Sequence, residues 1–593
     1  MWHYDPPLRS MRFVLQDVLN APASWAACPA LAEVDGELAM QLLEQAGRFA
    51  AEVLAPINSP GDLEGCRWQD GEVRTPRGYR EAYQAYVEGG WPALACDPDW
   101  GGQGLPMGLN LALYEMLNAS CHAWMMYPGL SHGAYECLRA HGSPELRERY
   151  LRQIVSGEWM ASMAMTEPHA GSDLGLLRTR AVPQDDGSLR VTGQKIFISG
   201  GEHDLTDNIV HLVLCRLPDA PAGSKGLSLA LVPKILPDGQ RNGVFCDGIE
   251  KKMGIKGSAT CAMRFEQATG WLIGQPHRGL AAMFLMMNAA RMLVATQGLG
   301  HLEIASQNAR RYALERRQMR APTPPQGAVA TERGAADPIA WHPAMRRVLL
   351  GLDARVQAMR ILTTRAGVLI DEAHHHPEAA TRQASDAQAA LLTPVLKAML
   401  TEQGFLGAAA AQQVWGGHGY VHDYGIEQSV RDSRIAMVYE GTNEIQGIDL
   451  IQRKVLGDRG VQLSALLVSL RADIASAASV EGMADFAAAL TQQCDRLEEV
   501  ARDLPARAVA DASWPLCVAD DFLRALGHVL LAWAWLRAAQ AALVALQVDT
   551  EDAWLREQLD LARHGVNWIL PEALPYWHRL QATDLPLGEV REG

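Results

Sequence analysis

The stretch VYEGTNEIQ (438–446) places a carboxylate, Glu440, between an aromatic residue, Tyr439, and Gly441, with Thr442 next. A carboxylate in apolar company is pushed toward neutrality and can serve as a general base. An ordinary surface turn carrying a glutamate has the same composition. Four other segments hold residues of chemical interest. MAMTEPHAGSD (163–173) offers the Thr166 hydroxyl, a glycine at 171 that lets backbone approach a ligand, and turn-forming Ser172 and Asp173. KIFISGG (195–201) puts Phe197 and Ser199 on one strand face, an aromatic ring and a hydroxyl able to meet a flat heterocycle or simply to pack. RRYALERRQ (310–318) clusters four arginines, which can complement a helix dipole or grip a pyrophosphate. QQVWGGHGYVHDYGIEQSVRD (412–432) carries a glycine cluster suited to a helix end or to close ligand approach.

Four regions must position these segments. Leu38, Leu42 and Leu43, and again Leu109, Leu113 and Leu117, recur at helical spacing, so helices are expected before about residue 157. DPDWGGQGLP (97–106) marks a loop between them. The period then changes. RVTGQKIFIS, NIVHLVLCRL and GLSLALVPK are short, β-branched and bounded by turn residues, which predicts a compact antiparallel barrel or sandwich. Helices return at about 281, where Leu392, Val395, Leu396 and Met399 form a stripe. APTPPQGAVATERGAADP (321–338) reads as an exposed excursion, and alanine- and leucine-rich helices fill the last section.

Composition narrows the function classes. The 593 residues are 48% hydrophobic, enough for several cores. A net charge of −15 argues against nucleic acid as the main partner. Ten cysteines show no C-x-x-C pair, so a reducing compartment is expected, and neither they nor the run His374 to His376 suggests a metal site. The opening residues do not read as a secretory signal. Val529 to Val548 is the most membrane-like stretch, but Arg537 and Gln540 interrupt it, so a buried bundle helix is expected rather than a transmembrane segment. No G-x-G-x-x-G follows a strand and no P-loop occurs, so a dinucleotide would not be held by either device.

Taken together, TEPHAGSD, GGHGY and YEGTNEIQ, in this order, resemble the signature stretches of the acyl-CoA dehydrogenase family over roughly residues 31–455. The opening YDPPLRSMRFVL and the last section further resemble an extended bacterial-type subfamily acting on 3-methylthiopropionyl-CoA, fatty acyl-CoA or phenylacyl-CoA thioesters. The fold implied is α+β and multidomain: an N-terminal extension (1–30), a helical domain (31–157), a middle antiparallel β domain (158–280), a helical bundle (281–455) and an additional helical domain (456–593).

The resemblance also implies a cofactor, FAD, and roles residue by residue. Met163, Met165 and Thr166 would lie along the flavin ring, and Phe197 and Ser199 would flank it; many relatives have Trp and Thr at these last two positions. Arg316 would reach the FAD pyrophosphate of a neighbouring subunit, with Gln413 and Gly417 beside the adenosine half and Thr442 and Glu444 near the pyrophosphate. Met319 stands where the family often has Phe. Ser172, Asn288, Arg291, Tyr439 and Gly441 would meet the acyl-CoA. Some relatives carry their base at the position of Ala290, which cannot serve, so Glu440 is the implied base. It would remove the α-proton while flavin N5 takes hydride from the β-carbon. The thioester oxygen would be held by the Glu440 backbone N–H and the flavin ribityl 2′-hydroxyl. The product would be a trans-2-enoyl-CoA, and electron-transferring flavoprotein would reoxidise the flavin. A homodimer in the cytoplasm is expected. An oxidase or desulfinase on the same fold, and a non-catalytic flavin- or CoA-binding assembly protein, are the alternatives.

Overall fold

The computed structural model describes residues 2–325 and 336–582. Ten residues of the predicted excursion (326–335) and the last eleven of the predicted final domain (583–593) lie outside the described residues. The chain divides into two compact units, one built from residues 3–6 and 43–297, the other from residue 2, residues 7–42 and the described part of 298–593.

The first unit opens with helices. The small hairpin β1 (Arg67–Gln69) and β2 (Glu72–Arg74) turns through Asp70 and Gly71, both at positive φ, as a two-residue loop requires. Helix α1 (Met107–Met125) is largely apolar and buried on all sides along almost its whole length, including polar Glu115 and Asn118. Helices α2 (Gly129–His141) and α3 (Pro144–Ser156) follow. The start of α3 is set by its sequence: the Ser143 hydroxyl accepts from Leu146 N at 3.3 Å, Pro144 occupies the first turn, and Gly157, at φ 79°, ends the helix.

Strands β3 (Met160–Ala164), β4 (Arg180–Pro183), β5 (Leu189–Ser199), β6 (Ile209–Arg216), β7 (Leu227–Pro233), β8 (Val244–Ile249) and β9 (Thr260–Ile273) form one sheet. The order β6–β4–β5–β9–β7 closes on itself through β6–β7, with β3 and β8 attached outside the ring. Most pairings are antiparallel, while β3 and β4 both lie parallel to β6. β6 and β7 are almost continuously apolar because they are buried nearly throughout.

Helix α4 (Gly279–Glu315) contributes residues up to Gln297 to this unit and those from Gly298 to the other. In the second unit, α5 (Pro343–His375) packs along α6 (Ala379–Val414). α4 crosses α6 at Gly298 and Gly404, where a Cβ on either glycine would overlap the other helix's backbone. The short α7 (Asn443–Ile448) precedes α8 (Val461–Ala477), α9 (Ala484–Ala510), α10 (Ala519–Leu546) and α11 (Ala553–His564). Two helices, α4 and α10, are long and apolar enough to cross a membrane by length and composition, and most of each apolar window is buried in the fold. Residues 7–42 pack into this unit. Trp25 Nε1 donates to Asp371 Oδ2 at 3.0 Å, and the rings of Phe13 and Trp554 meet edge to face at 5.4 Å. At the base of the excursion, Pro322 to Pro324 are exposed, while Ala321 and Asp337 are buried and joined by a bond from Ala321 N to Asp337 Oδ2 at 2.8 Å.

Candidate active site

The predicted site residues fall into two groups, one in each unit.

In the first unit, Met163 lies on β3, opposite Leu212 of β6, and is buried. Met165 and Thr166 emerge half-buried from the strand end, and Ser172 lies farther along an exposed loop. Two residues that sequence reasoning passed over fasten this loop. The Glu167 carboxylate accepts from Thr179 Oγ1 at 2.6 Å, Thr179 N at 3.0 Å and Arg178 N at 2.8 Å. Lys195 Nζ reaches the same carboxylate at 3.0 Å and donates to the Met165 carbonyl at 2.8 Å. The Lys195 and Glu167 side chains are only 0% and 3% accessible. Burial on its own would raise the Glu167 carboxyl, but the Lys195 ammonium and the bonds from Thr179 and Arg178 outweigh it and hold the group below the usual carboxylate range.

Ile196 N donates to the Thr166 carbonyl at 2.9 Å, so the Met165–Thr166 turn lies directly beside β5. Strict alternation from buried Lys195 would bury Phe197. Instead the β5–β9 register shifts between Lys195 and Ile198, and Phe197 takes φ 59°. The bulge leaves Phe197 exposed, Ile198 buried and Ser199 half-buried. The structure therefore brings the Met165–Thr166 turn beside the β5 bulge that carries Phe197 and Ser199, while Met163 is buried in the core on β3. On α4, Asn288 is exposed and Arg291 is buried one turn on, with Arg291 Nη1 donating to Asn288 Oδ1 at 3.4 Å; Ala290 between them is buried.

In the second unit, Arg316 follows the end of α4 and is exposed, and its carbonyl accepts from Ile339 N at 2.8 Å. One turn earlier, Tyr312 stacks on Trp415 with ring centroids 4.2 Å apart, and its hydroxyl lies 2.9 Å from His418 Nδ1. His418 stacks in turn on Tyr424 at 4.5 Å. This aromatic stack joins the end of α4 to the end of α6 and so brings Arg316 into the neighbourhood of Gln413 and Gly417, both exposed. A Cβ on Gly416 or Gly417 would meet open space, so backbone here is open to an incoming group. The buried Trp415 Nε1 has no hydrogen-bond partner among the described residues.

Glu440 and Gly441 are consecutive left-handed residues, at φ 56° and 84°. Glycine reaches this region freely; glutamate does so at a cost of about 1–2 kcal/mol, which the surroundings must offset. They do so through buried side chains. Gln446 Nε2 donates to both carbonyls, at 3.1 and 3.2 Å, and Lys397 Nζ donates to the Gly441 carbonyl at 2.8 Å and to Asn443 Oδ1 at 3.1 Å. Asn443 Nδ2 in turn donates to the Ala398 carbonyl at 3.1 Å. Lys397 is fully buried and lies in the leucine stripe of α6, where sequence reasoning registered only the apolar residues. Thr442 caps α7, its hydroxyl accepting from Ile445 N at 3.4 Å. Glu444 is exposed; its own backbone N–H and the Thr442 hydroxyl hold its carboxyl below the usual range. Tyr439, Glu440 and Gly441 are half-buried.

Comparison with known proteins yields four adjacent family matches: Acyl-CoA dehydrogenase, N-terminal domain, over residues 37–158; Acyl-CoA dehydrogenase, middle domain, over 162–268; Acyl-CoA dehydrogenase, C-terminal domain, over 277–456; and Acetyl-CoA dehydrogenase C-terminal like, over 466–590. A 3-methylmercaptopropionyl-CoA dehydrogenase of Ruegeria pomeroyi is 36% identical over 98% of both chains. Among solved structures, Caenorhabditis elegans ACDH-11 in complex with C11-CoA is similar with a TM-score of 0.73 at 18% identity, covering 95% of this chain and 91% of that one. An acyl-CoA dehydrogenase complexed with FAD from Bacillus anthracis gives 0.70 at 19% identity, covering 95% and 94%.

Proposed function

Because the chain belongs to the acyl-CoA dehydrogenase family of FAD-dependent oxidoreductases, we propose that Glu440 is the base that removes the α-proton of an acyl-CoA thioester. The observation that carries this reading is the left-handed Glu440–Gly441 turn, held from below by Lys397 and Gln446. A strained residue with so many buried supports is a place where geometry is being maintained for chemistry. The Glu440 backbone N–H would polarise the thioester carbonyl, and its carboxylate would accept the proton.

The residues present suit FAD. Phe197 offers an exposed ring beside the Met165–Thr166 turn, and Gly416 and Gly417 leave backbone open next to the Tyr312–Trp415 stack. When bound, FAD supplies the hydride acceptor for the β-carbon. Met163, Met165, Thr166, Phe197 and Ser199 would hold its ring system. Arg316 would hold the pyrophosphate and Gln413 and Gly417 would lie beside the adenosine half, all three acting across a homodimer, with Thr442 and Glu444 near the pyrophosphate. Ser172, Asn288, Arg291, Tyr439 and Gly441 would bind the acyl-CoA. Electron-transferring flavoprotein is the proposed electron acceptor and the cytoplasm the proposed location.

The Ruegeria relative spans nearly all of both chains, which puts 3-methylmercaptopropionyl-CoA first among candidate substrates, ahead of longer linear and aryl thioesters. Anaerobic titration of the oxidised flavoprotein with a panel of acyl-CoAs tests this: bleaching of the flavin band by at least one thioester is expected. Absence of bleaching by every member would refute dehydrogenation.

A further inference from the structure

Away from all of these residues, a cavity of about 180 Å³ opens among α5, α6, α8 and α10, where the helices after residue 456 pack on the bundle before it. Six of its twelve lining residues are leucines, including Leu392 of α6, Leu466 of α8 and Leu530 of α10, and polar side chains make up most of the rest. Two guanidinium groups line it, Arg365 of α5 and Arg537 of α10, together with one carboxylate, Asp473 of α8.

The carboxylate is already committed. Asp473 Oδ2 accepts from Trp533 Nε1 at 2.7 Å and Oδ1 from Arg537 Nη1 at 3.2 Å. Arg537 Nη2 donates to the Val18 carbonyl at 2.6 Å. Arg365 is placed differently. Its ion pair is with Glu372 at 4.0 Å, beyond hydrogen-bonding reach, and the other oxygen of Glu372 takes the Ser385 hydroxyl at 2.8 Å. Among the described residues, no acceptor receives a hydrogen bond from the Arg365 guanidinium, although its side chain is only 28% accessible. A guanidinium has five donors in a fixed planar fork and stays charged at any relevant pH. Burial disfavours its charged form by more than the nearby carboxylates of Glu372 and Asp473 favour it, and the like charge of Arg537 adds to the penalty, which an anion in the cavity would reduce.

We propose that this cavity is a binding site for a short-chain carboxylate: Arg365 takes the carboxylate as a bidentate partner, and the leucine walls take the apolar tail. At the packing density of a protein interior, the space suits roughly eight to ten non-hydrogen atoms. A bound anion would touch four helices at once and clamp the helices after residue 456 to the bundle, so its binding must raise thermal stability.

Calorimetry on the FAD-loaded enzyme with sodium hexanoate tests the site. Saturable binding is expected, with a dose-dependent rise in Tm. Arg365→Gln should weaken it roughly ten- to a hundred-fold, the loss of a charge-assisted hydrogen-bonded pair, and uncharged hexanamide should not bind. Leu530→Phe, which fills the cavity and leaves both arginines in place, should weaken binding as well, so the test does not hang on the folding of a single variant. Hexanoate binding undiminished in both variants would place the ligand elsewhere, including the acyl-CoA site, and overturn the proposal. Absence of saturable binding would overturn it too, as would inorganic phosphate binding as tightly as hexanoate, since that would leave the apolar walls no role.

Discussion

Lys397 Nζ lies 2.8 Å from the carbonyl oxygen of Gly441, forty-four residues along the chain, and is fully buried there. The ammonium fixes the far side of the turn on which Glu440 stands. Lys397→Met keeps the length of the side chain and leaves two buried acceptors, Gly441 O and Asn443 Oδ1, short of a donor. The expected cost is about 1–3 kcal/mol, a fall of a few degrees in Tm. Reduction of the flavin by acyl-CoA should slow by more than the loss of bound FAD explains. Stopped-flow bleaching, normalised to flavin content, measures this, and an unchanged rate would show that the turn is held without Lys397.

Glu440→Gln separates proton removal from everything else the turn does. Glutamine keeps the shape and the backbone N–H but is a negligible base. Flavin reduction should fall by at least about 10²–10⁴-fold, while FAD content and acyl-CoA binding persist. Near-normal reduction would assign the proton to another carboxylate.

Phe197 is exposed on its bulge, so Phe197→Ala removes little packing from the folded chain. Stability of the apoprotein should change by no more than about 0.5 kcal/mol. FAD affinity should drop several-fold, because the ring would otherwise cover the flavin. Fluorimetric titration of apoprotein with FAD reads this directly; equal affinities would remove Phe197 from the cofactor site.

The Glu167–Lys195 pair predicts a pH dependence of defined sign. The Glu167 carboxyl is held below its ordinary range in the fold, so its contribution is complete at pH values above that range and is lost as pH falls through the lowered value. Wild type should therefore melt above Glu167→Gln at neutral pH. The gap should begin to narrow as pH falls into the usual carboxylate range and close once pH is below the lowered value. A gap that is constant to the lowest pH at which the protein folds would mean that the pair does not stabilise the Met165–Thr166 turn.

The motif segments carrying Thr166, Phe197 and Glu440, and the change from helical to strand periodicity near residue 158, were legible in the chain itself. What holds those motifs was not. Lys195 and Lys397 read as unremarkable polar residues in a strand and an apolar helix, because a lysine's burial depends on acceptors that lie far off in sequence. The faint signal was a lone lysine inside LLTPVLKAML, where a solvated side chain would have no exit. Alternation did place Phe197 and Ser199 on one face, but only the bulge turns that face away from Lys195. The pairing of residues 7–42 with the later half of the chain has no local signature, since its contacts span hundreds of positions.

That pairing bears on how the protein is made. Phe13 and Trp25 leave the ribosome early, yet their partners Trp554 and Asp371 are separated from them by 541 and 346 positions (554 − 13; 371 − 25). At about 5–20 residues per second, tens of seconds pass before those partners exist. The unit of residues 43–297 is contiguous apart from four residues and can close while synthesis continues. The early helices cannot, and their apolar faces must stay shielded or loosely associated until the chain has been made past Trp554. The chain thus carries a built-in interval of vulnerability to aggregation, and slowing the ribosome between the codons for Asp371 and Trp554 should lengthen it.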